Sequence, residues 1–143
     1  LRRGEIVGVF PEATISQSFE VKDFKTGAVR MAAEAGVPVV PMITFGGQRL
    51  WTKGRKREMT RGTLVALTVG EPITVTEQDD PLEATAHLRS VMQGLYDQTI
   101  EDYEPKPAPG AWWWPARYGG GAPSLQAMRD QEAQDRAARE GGE

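Results

Sequence analysis

Short apolar runs and one change of period organise the first hundred residues of this chain. Residues 5–10 are mostly apolar and stop at Pro11, which is typical of a short buried strand. From Asp23 onward apolar residues recur at helical spacing until Gly36, a residue type that commonly ends helices. A second apolar run, with two prolines in it, occupies residues 37–43. The order strand, helix, strand predicts a parallel βαβ unit in an α/β sheet.

Three more patterns complete the predicted elements. The first helix is expected to place one apolar face inward, made by Phe24, Ala28, Met31 and Ala35. Residues 63–69 alternate like a strand. Asp80, followed by Pro81, is a helix start, and this second helix is expected to end before Pro105. Its predicted apolar face comprises Leu88, Val91, Met92, Leu95, Tyr96 and Tyr103.

The composition changes after residue 104. Prolines, three adjacent tryptophans (residues 112–114) and three glycines follow, and residues 125–140 permit a helix but carry few large apolar side chains. We therefore divide the chain into an α/β portion, residues 1–104, and an irregular tail, residues 105–143, and expect the packing core in about the first hundred residues. Three adjacent tryptophans cannot share one face of a regular element, so they are expected either over the body or at a membrane interface.

Charge and composition exclude several classes of protein. The net charge is −3, with 17 basic and 20 acidic residues, which argues against a nucleic-acid-binding protein. The absence of cysteine excludes disulfides and thiolate chemistry, and together with a single histidine it argues against a zinc site. No run approaches the ~20 apolar residues of a membrane-spanning helix.

Candidate chemistry lies directly after the first predicted strand. Glu12, Thr14 and Ser16 place one carboxylate and two hydroxyls in a loop at the expected carboxyl end of that strand. Ligands bind at this edge in open α/β sheets. A plain turn, in which the two hydroxyls satisfy backbone groups, is the alternative interpretation.

Four segments together resemble one enzyme family. Residues 10–16 read Phe-Pro-Glu-Ala-Thr-Ile-Ser, similar to the Phe-Pro-Glu-Gly-Thr-Arg-Ser block of glycerophosphate and lysophosphatidate acyltransferases. Residues 24–28, 36–42 and 69–73 resemble later blocks of that family, in the same order and spacing. The matching positions that shape the backbone are Phe10, Pro11, Gly27, Pro38 and Pro41. For each proline alone, a kinked strand edge is the preferred interpretation.

The resemblance implies an α/β acyltransferase domain with a glycerophosphate-acyltransferase-type sheet and flanking helices. It implies acyl transfer from acyl-CoA or an acyl carrier protein to a lysophospholipid hydroxyl in phospholipid biosynthesis, without a cofactor or metal, at the cytoplasmic face of the cell membrane. In the family, the proton transfer is carried out by a His-x-x-x-x-Asp pair, because a histidine pKa lies near neutrality and the aspartate orients the imidazole.

That pair does not occur in these 143 residues. The one histidine is His87, with Met92 five positions later, and it follows the Phe-Pro-Glu block whereas the family's pair precedes it. We expect His87 at a helix surface or core edge. We also expect this chain to be the C-terminal part of a longer acyltransferase, inactive alone, and poorly soluble or partly unfolded if its sheet lacks strands.

Carried over from the resemblance, Glu12, Thr14 and Ser16 belong to the acceptor-binding edge. Two positions depart from the family: Ala13 replaces a glycine, and Ile15 replaces an arginine suited to gripping a phosphate. The acceptor is therefore a different lysolipid, or another cation such as Lys25 supplies the charge.

A basic loop carries the last candidate site. Five basic residues against one acidic residue lie in residues 53–61, beside a tryptophan. A solvated loop and a surface for an anionic membrane are both open interpretations. The membrane candidates are Trp51, Lys53, Arg55, Lys56 and Arg57. The alternative function is accordingly a non-catalytic module that binds a membrane surface and keeps the acyltransferase fold.

Overall fold

The structure is a computed structural model that describes residues 1–140. Its helices are α1 (Gly27–Ala35), α2 (Pro81–Asp102) and α3 (Leu125–Glu140), and its strands are β1 (Met42–Phe45) and β2 (Ala66–Val69). Two single-turn 3₁₀ helices, Gly47–Arg49 and Ala116–Tyr118, lie in the connecting segments. The mixed α/β class predicted from the sequence is confirmed.

The strands form a two-stranded antiparallel sheet. Met42 lies opposite Val69 and Phe45 opposite Ala66. Beyond the strand ends, Val39 and Ile73 exchange two backbone hydrogen bonds of 2.8 Å. The expected parallel βαβ unit therefore does not occur in residues 1–140, because the second apolar run pairs with the strand that follows it.

Residues 5–10 correct the expectation of a first buried strand. They form no strand, and the side chains of Ile6 and Phe10 are 97% and 89% exposed. A strand needs a neighbouring strand for its backbone hydrogen bonds, and β1 pairs with β2 instead. The apolar run therefore stays unpaired and open to solvent.

The first helix ends as expected, and the face it turns inward overlaps the predicted face except at Met31. Gly36 caps α1 with φ of 64°, and the N–H groups after the helix bond back to Ala32 and Ala33. The buried residues of α1 are Val29 and Ala32, whereas Met31, predicted inside, is 41% exposed. Phe24, which precedes the helix, packs against both core clusters, and Ala28 and Ala35 are half-buried.

The second helix agrees with the sequence throughout. Asp80 accepts hydrogen bonds from the N–H groups of Leu82 (2.8 Å) and Glu83 (2.9 Å), and the helix ends at Asp102. Its predicted apolar face is buried or half-buried, with Leu88 and Tyr96 inside the core.

The core draws on the tail, which corrects the expectation that it lies in the first hundred residues. Trp114 is 5% exposed and packs edge-on against Phe45, with ring centroids 5.5 Å apart. Trp113 and Tyr118 pack around the same cluster. A second, smaller cluster joins Val29, Val75 and Leu88. The tryptophans thus lie over the body, as one of the two expectations had it.

Candidate functional site

The Phe-Pro-Glu segment folds into a turn that closes on the entry to α1. The carbonyl of Pro11 accepts a hydrogen bond of 2.8 Å from the N–H of Lys25, and the N–H of Ala13 donates to Phe10 at 3.1 Å. Ala13 has φ of 55°, the left-handed region that favours glycine. An alanine costs about 1–2 kcal/mol there, and this is the position where the acyltransferase block carries glycine.

Glu12 is half-buried, and its carboxylate accepts a hydrogen bond of 3.2 Å from the N–H of Lys22. Burial raises the pKa of Glu12, against the lowering effects of that hydrogen bond and of the charges of Lys22 and Arg89. The carboxylate therefore lies within the electrostatic reach of two cations that the motif itself does not contain.

The two hydroxyls of the motif have different environments. Thr14 is exposed. Ser16 is half-buried, and its hydroxyl lies 2.6 Å from that of Ser18, which is fully buried and accepts the N–H of Glu20 at 3.3 Å. Ser16 thus contacts a side-chain hydroxyl and not the backbone group that the plain-turn interpretation expected, while Thr14 stays open to a ligand.

Lys22, which the sequence reasoning missed, is the buried cation of this region. Its side chain is 9% exposed, and its ammonium donates to the carboxylate of Glu132 on α3 at 2.5 Å. The Nε of Arg89 on α2 donates to the carbonyl of Lys22 at 2.9 Å. The two partners of Lys22 are distant in sequence: Arg89 lies 67 positions away along the chain and Glu132 lies 110 positions away. No local sequence pattern could therefore have revealed this cluster of charges.

Lys25, by contrast, has an exposed side chain. Only its backbone N–H is tied to the motif, through Pro11. The assignment of acceptor binding to Glu12, Thr14, Ser16 and Lys25 stays a prediction. The structure brings the first three onto one loop and anchors the fourth beside it.

Gly27, Pro38 and Pro41, three of the motif positions expected to shape the backbone, lie at or near the start of α1 or β1. Gly27 opens α1. Pro41 is fully buried, and its carbonyl accepts the N–H of Gly70 at 2.9 Å, which extends the pairing of β1 with β2 by one bond. Pro38 is exposed. Both prolines precede β1, where a missing N–H costs the sheet least.

His87 lies exposed on α2, in agreement with the sequence. It borders an open groove between α2 and residues 70–74, lined also by Val91 and Leu95. A larger groove of about 730 Å³ lies between α2 and the tail, beside Asp97, Lys106 and Tyr118. Residues of the Phe-Pro-Glu segment line neither groove.

The basic loop, residues 53–61, is exposed, and arginines within it and just before it pack on tryptophans of the tail. The guanidinium of Arg55 lies over the ring of Trp112 at 3.8 Å, and that of Arg49 over Trp113 at 4.4 Å. Trp51 remains 71% exposed, with the guanidinium of Arg57 5.6 Å from its ring. Lys53 and Lys56 are exposed as well.

Across residues 1–140, no helix is both long enough and apolar enough to cross a membrane. The same part of the chain contains no group of three or more His, Cys, Asp or Glu side chains placed to hold a metal ion.

Comparison with known proteins connects the Phe-Pro-Glu segment to a family. The family model described as Acyltransferase matches residues 1–44. The 1-acyl-sn-glycerol-3-phosphate acyltransferase of Escherichia coli (strain K12) is 34% identical over 91 residues, which are 61% of this chain and 35% of that protein. The chloroplastic 1-acyl-sn-glycerol-3-phosphate acyltransferase BAT2 of Brassica napus is 33% identical over 79 residues, 55% of this chain and 23% of that protein.

These comparisons confirm the resemblance to acyltransferases that the motifs indicate. The matched part of the chain spans about a third of the bacterial relative's length and under a quarter of the plant relative's. No solved structure matches the chain.

Proposed function

We propose that this chain, a relative of the 1-acyl-sn-glycerol-3-phosphate acyltransferases, serves the acylation of lysophosphatidic acid in phospholipid biosynthesis. The donor is acyl-CoA or an acyl carrier protein, and the acceptor is the free glycerol hydroxyl of the lysophospholipid. The observation that carries the proposal is the Phe-Pro-Glu segment, found in the region that matches the family model and joined by Pro11 to the start of α1.

The residues present cannot supply the whole reaction. An acyl transfer of this type needs a base that takes the hydroxyl proton as oxygen attacks the thioester. His87 is unsuited to that task, because it is exposed on α2 and Met92 stands where the family's aspartate would follow. We therefore propose that the His-x-x-x-x-Asp pair comes from sequence outside these 143 residues, and that residues 1–104 are the C-terminal portion of the acyltransferase domain.

Phosphatidate formation from lysophosphatidate and acyl-CoA tests the function. We expect no turnover from the 143 residues alone and clear turnover from a chain that also carries the His-x-x-x-x-Asp pair. In that active chain, Glu12→Ala is expected to lower the rate, whereas the control His87→Ala leaves it unchanged. Loss of activity in the His87 variant, or no phosphatidate from the longer chain, would refute the proposal.

A peripheral site on the cytoplasmic face of the membrane fits the same function, because the acceptor is a lipid. The support is the exposed Trp51 next to the cations Lys53, Lys56 and Arg57. A lysine or arginine near an anionic leaflet contributes about 1 kcal/mol, and tryptophan favours the interface. These features also favour the second candidate, a non-catalytic module that binds membrane surfaces.

Sedimentation with phosphatidylglycerol vesicles at low salt checks the surface. We expect Lys56→Gln to weaken vesicle binding roughly fivefold, the equivalent of about 1 kcal/mol. Arg30→Gln is the matched control, because Arg30 is also exposed but lies on α1. Equal effects of both substitutions would mean that net charge alone drives binding. Vesicle binding without acyl transfer by the longer chain would favour the non-catalytic module.

A further inference from the structure

Lys22 is a buried ammonium in contact with a replaceable anion. Its side chain is 9% exposed, and its partner carboxylate, Glu132, belongs to a side chain that is 39% exposed. A buried charge is stable only when it is paired, so an anion must occupy this position whenever the protein is folded. The identity of that anion is not fixed by the burial of Lys22 itself.

Helix α3, which supplies the carboxylate of Glu132, is attached near Lys22 by two ion pairs. Besides the pair of Lys22 and Glu132, the guanidinium of Arg129 donates to Asp23 at 3.0 Å. α3 is strongly polar, and none of its side chains that the structure describes belongs to either apolar core cluster. The pair of Arg129 and Asp23 is exposed, and such pairs contribute about 1 kcal/mol or less and weaken with salt. Detaching this end of α3 therefore costs chiefly the pair at the buried Lys22, which a second anion on Lys22 can replace.

The surroundings of Lys22 suit a phosphate. The motif has lost the arginine that would bind one, since Ile15 is 66% exposed and apolar. Arg89 lies against Lys22 through a 2.9 Å hydrogen bond to its carbonyl. Both charges act on Glu12, the carboxylate of the motif. The Nε of Arg89 also lies 3.7 Å from the carboxylate of Asp23, so the other guanidinium N–H groups of Arg89 and the ammonium of Lys22 are the donors that would give the charge-assisted hydrogen bonds that phosphate oxygens accept.

We propose that Lys22, with Arg89 beside it, binds the phosphate monoester of the acylglycerol phosphate acceptor, and that the carboxylate of Glu132 occupies this position until the acceptor displaces it. The inference rests on the proposed function and replaces Lys25 as the candidate phosphate ligand. It gives α3 a role as a tethered competitor: the apparent affinity for the acceptor is reduced by the fraction of molecules in which Glu132 is bound.

Calorimetric titration of the intact protein with glycerol 3-phosphate tests the site. Glu132→Gln keeps a hydrogen-bond acceptor for Lys22 but removes the charge, so we expect binding to tighten on the order of tenfold. Asp130→Asn is the matched control, because this exposed residue of α3 pairs with Gln126 and does not contact Lys22. Its effect is expected to stay within about twofold.

The reciprocal variants remove the cation. Lys22→Met is expected to weaken binding at least tenfold, as the loss of a charged hydrogen bond does, and Lys22→Arg to restore most of it. Because Lys22→Met changes a buried site, thermal unfolding of each variant accompanies the titrations. If that variant does not fold, Glu132→Gln and Lys22→Arg still decide. Wild-type affinity in Lys22→Met, or equal tightening by Asp130→Asn and Glu132→Gln, would overturn the proposal.

Two comparisons separate this inference from its premise. Tighter binding of glycerol 3-phosphate than of inorganic phosphate supports an acceptor site, whereas equal binding assigns it to free phosphate and overturns the proposal. In the acyl-transfer assay, Glu132→Gln is expected to lower KM for lysophosphatidate without changing kcat. An unchanged KM with normal turnover refutes the phosphate site alone, and absence of turnover with intact phosphate binding refutes the proposed function alone.

Discussion

At the scale of one residue, burial and nearby charges have opposite effects on the pKa of Glu12. Desolvation raises the pKa of its carboxyl, while the Lys22 N–H and the charges of Lys22 and Arg89 act in the opposite direction. The net shift is upward, so burial outweighs the two cations. The sequence predicted the carboxylate but not this balance, because Arg89 is 77 positions away on α2 and only the fold brings it near.

The raised pKa predicts a pH dependence of stability with a definite sign. The folded protein holds the Glu12 proton to a higher pH than the unfolded chain, whose carboxyl titrates near 4.5. As pH rises from there through the raised pKa, this residue therefore lowers the free energy of unfolding. Glu12→Gln removes the titration and can still accept the Lys22 N–H.

The measurement is urea unfolding of both proteins between pH 4 and pH 8. We expect the variant to gain stability over the wild type as pH rises, and then to keep a constant difference. Subtracting the two curves cancels the other titrating groups, including Asp79 and Glu104, whose pKa values are lowered. A flat difference would show that burial and the cations balance at Glu12, and a difference that falls with pH would show that the cations outweigh burial.

At the scale of the elements, local signals were reliable and long-range pairing was not. Asp80 caps α2 and Gly36 ends α1, as predicted, because each acts through backbone groups within a few residues. The partner of a strand is decided by the whole sheet. Residues 5–10 carry a strand pattern and form none, and the alternating residues Leu67 and Val69 lie on the exposed face of β2.

Two glycines in helical contexts allow a matched test of the backbone. An added Cβ meets no atom within 4 Å at Gly36 or at Gly94, so neither substitution changes packing. Gly36 has φ of 64°, and Gly36→Ala is expected to destabilise the protein by about 1–2 kcal/mol. Gly94 lies within α2, and Gly94→Ala is expected to stabilise it by about 0.5–1 kcal/mol.

Thermal unfolding at one pH measures both substitutions. Opposite signs are the expected result, because the same added methyl group is disfavoured in a left-handed conformation and favoured in a helix. Destabilisation by both alanines would mean that Gly94 has a tertiary role that its open surroundings do not reveal. Stabilisation by both would mean that α1 does not end in the left-handed cap at Gly36.

For the whole molecule, the main departure from the sequence is that the tail completes the core. The division into residues 1–104 and 105–143 stays a prediction, but Trp114 packs against both Phe45 of β1 and Tyr103 at the end of α2. Composition concealed this, because a segment rich in proline and glycine is typical of a linker. The turn that buries Trp114 is fixed by contacts with a core that the segment itself does not encode.

Trp114 and Trp51 therefore provide the sharpest test of this architecture. Trp114→Ala leaves a cavity where three aromatic rings meet, and we expect a loss of about 3–5 kcal/mol in the free energy of unfolding. Trp51→Ala removes an equal side chain that is 71% exposed, and its effect is expected to stay within about 0.5 kcal/mol. If urea unfolding finds the two variants equally stable, the tail does not pack on the core. A large loss for Trp114 alone means that the segment after residue 104 belongs to the folded unit, and that removing it exposes the ring of Phe45 to water.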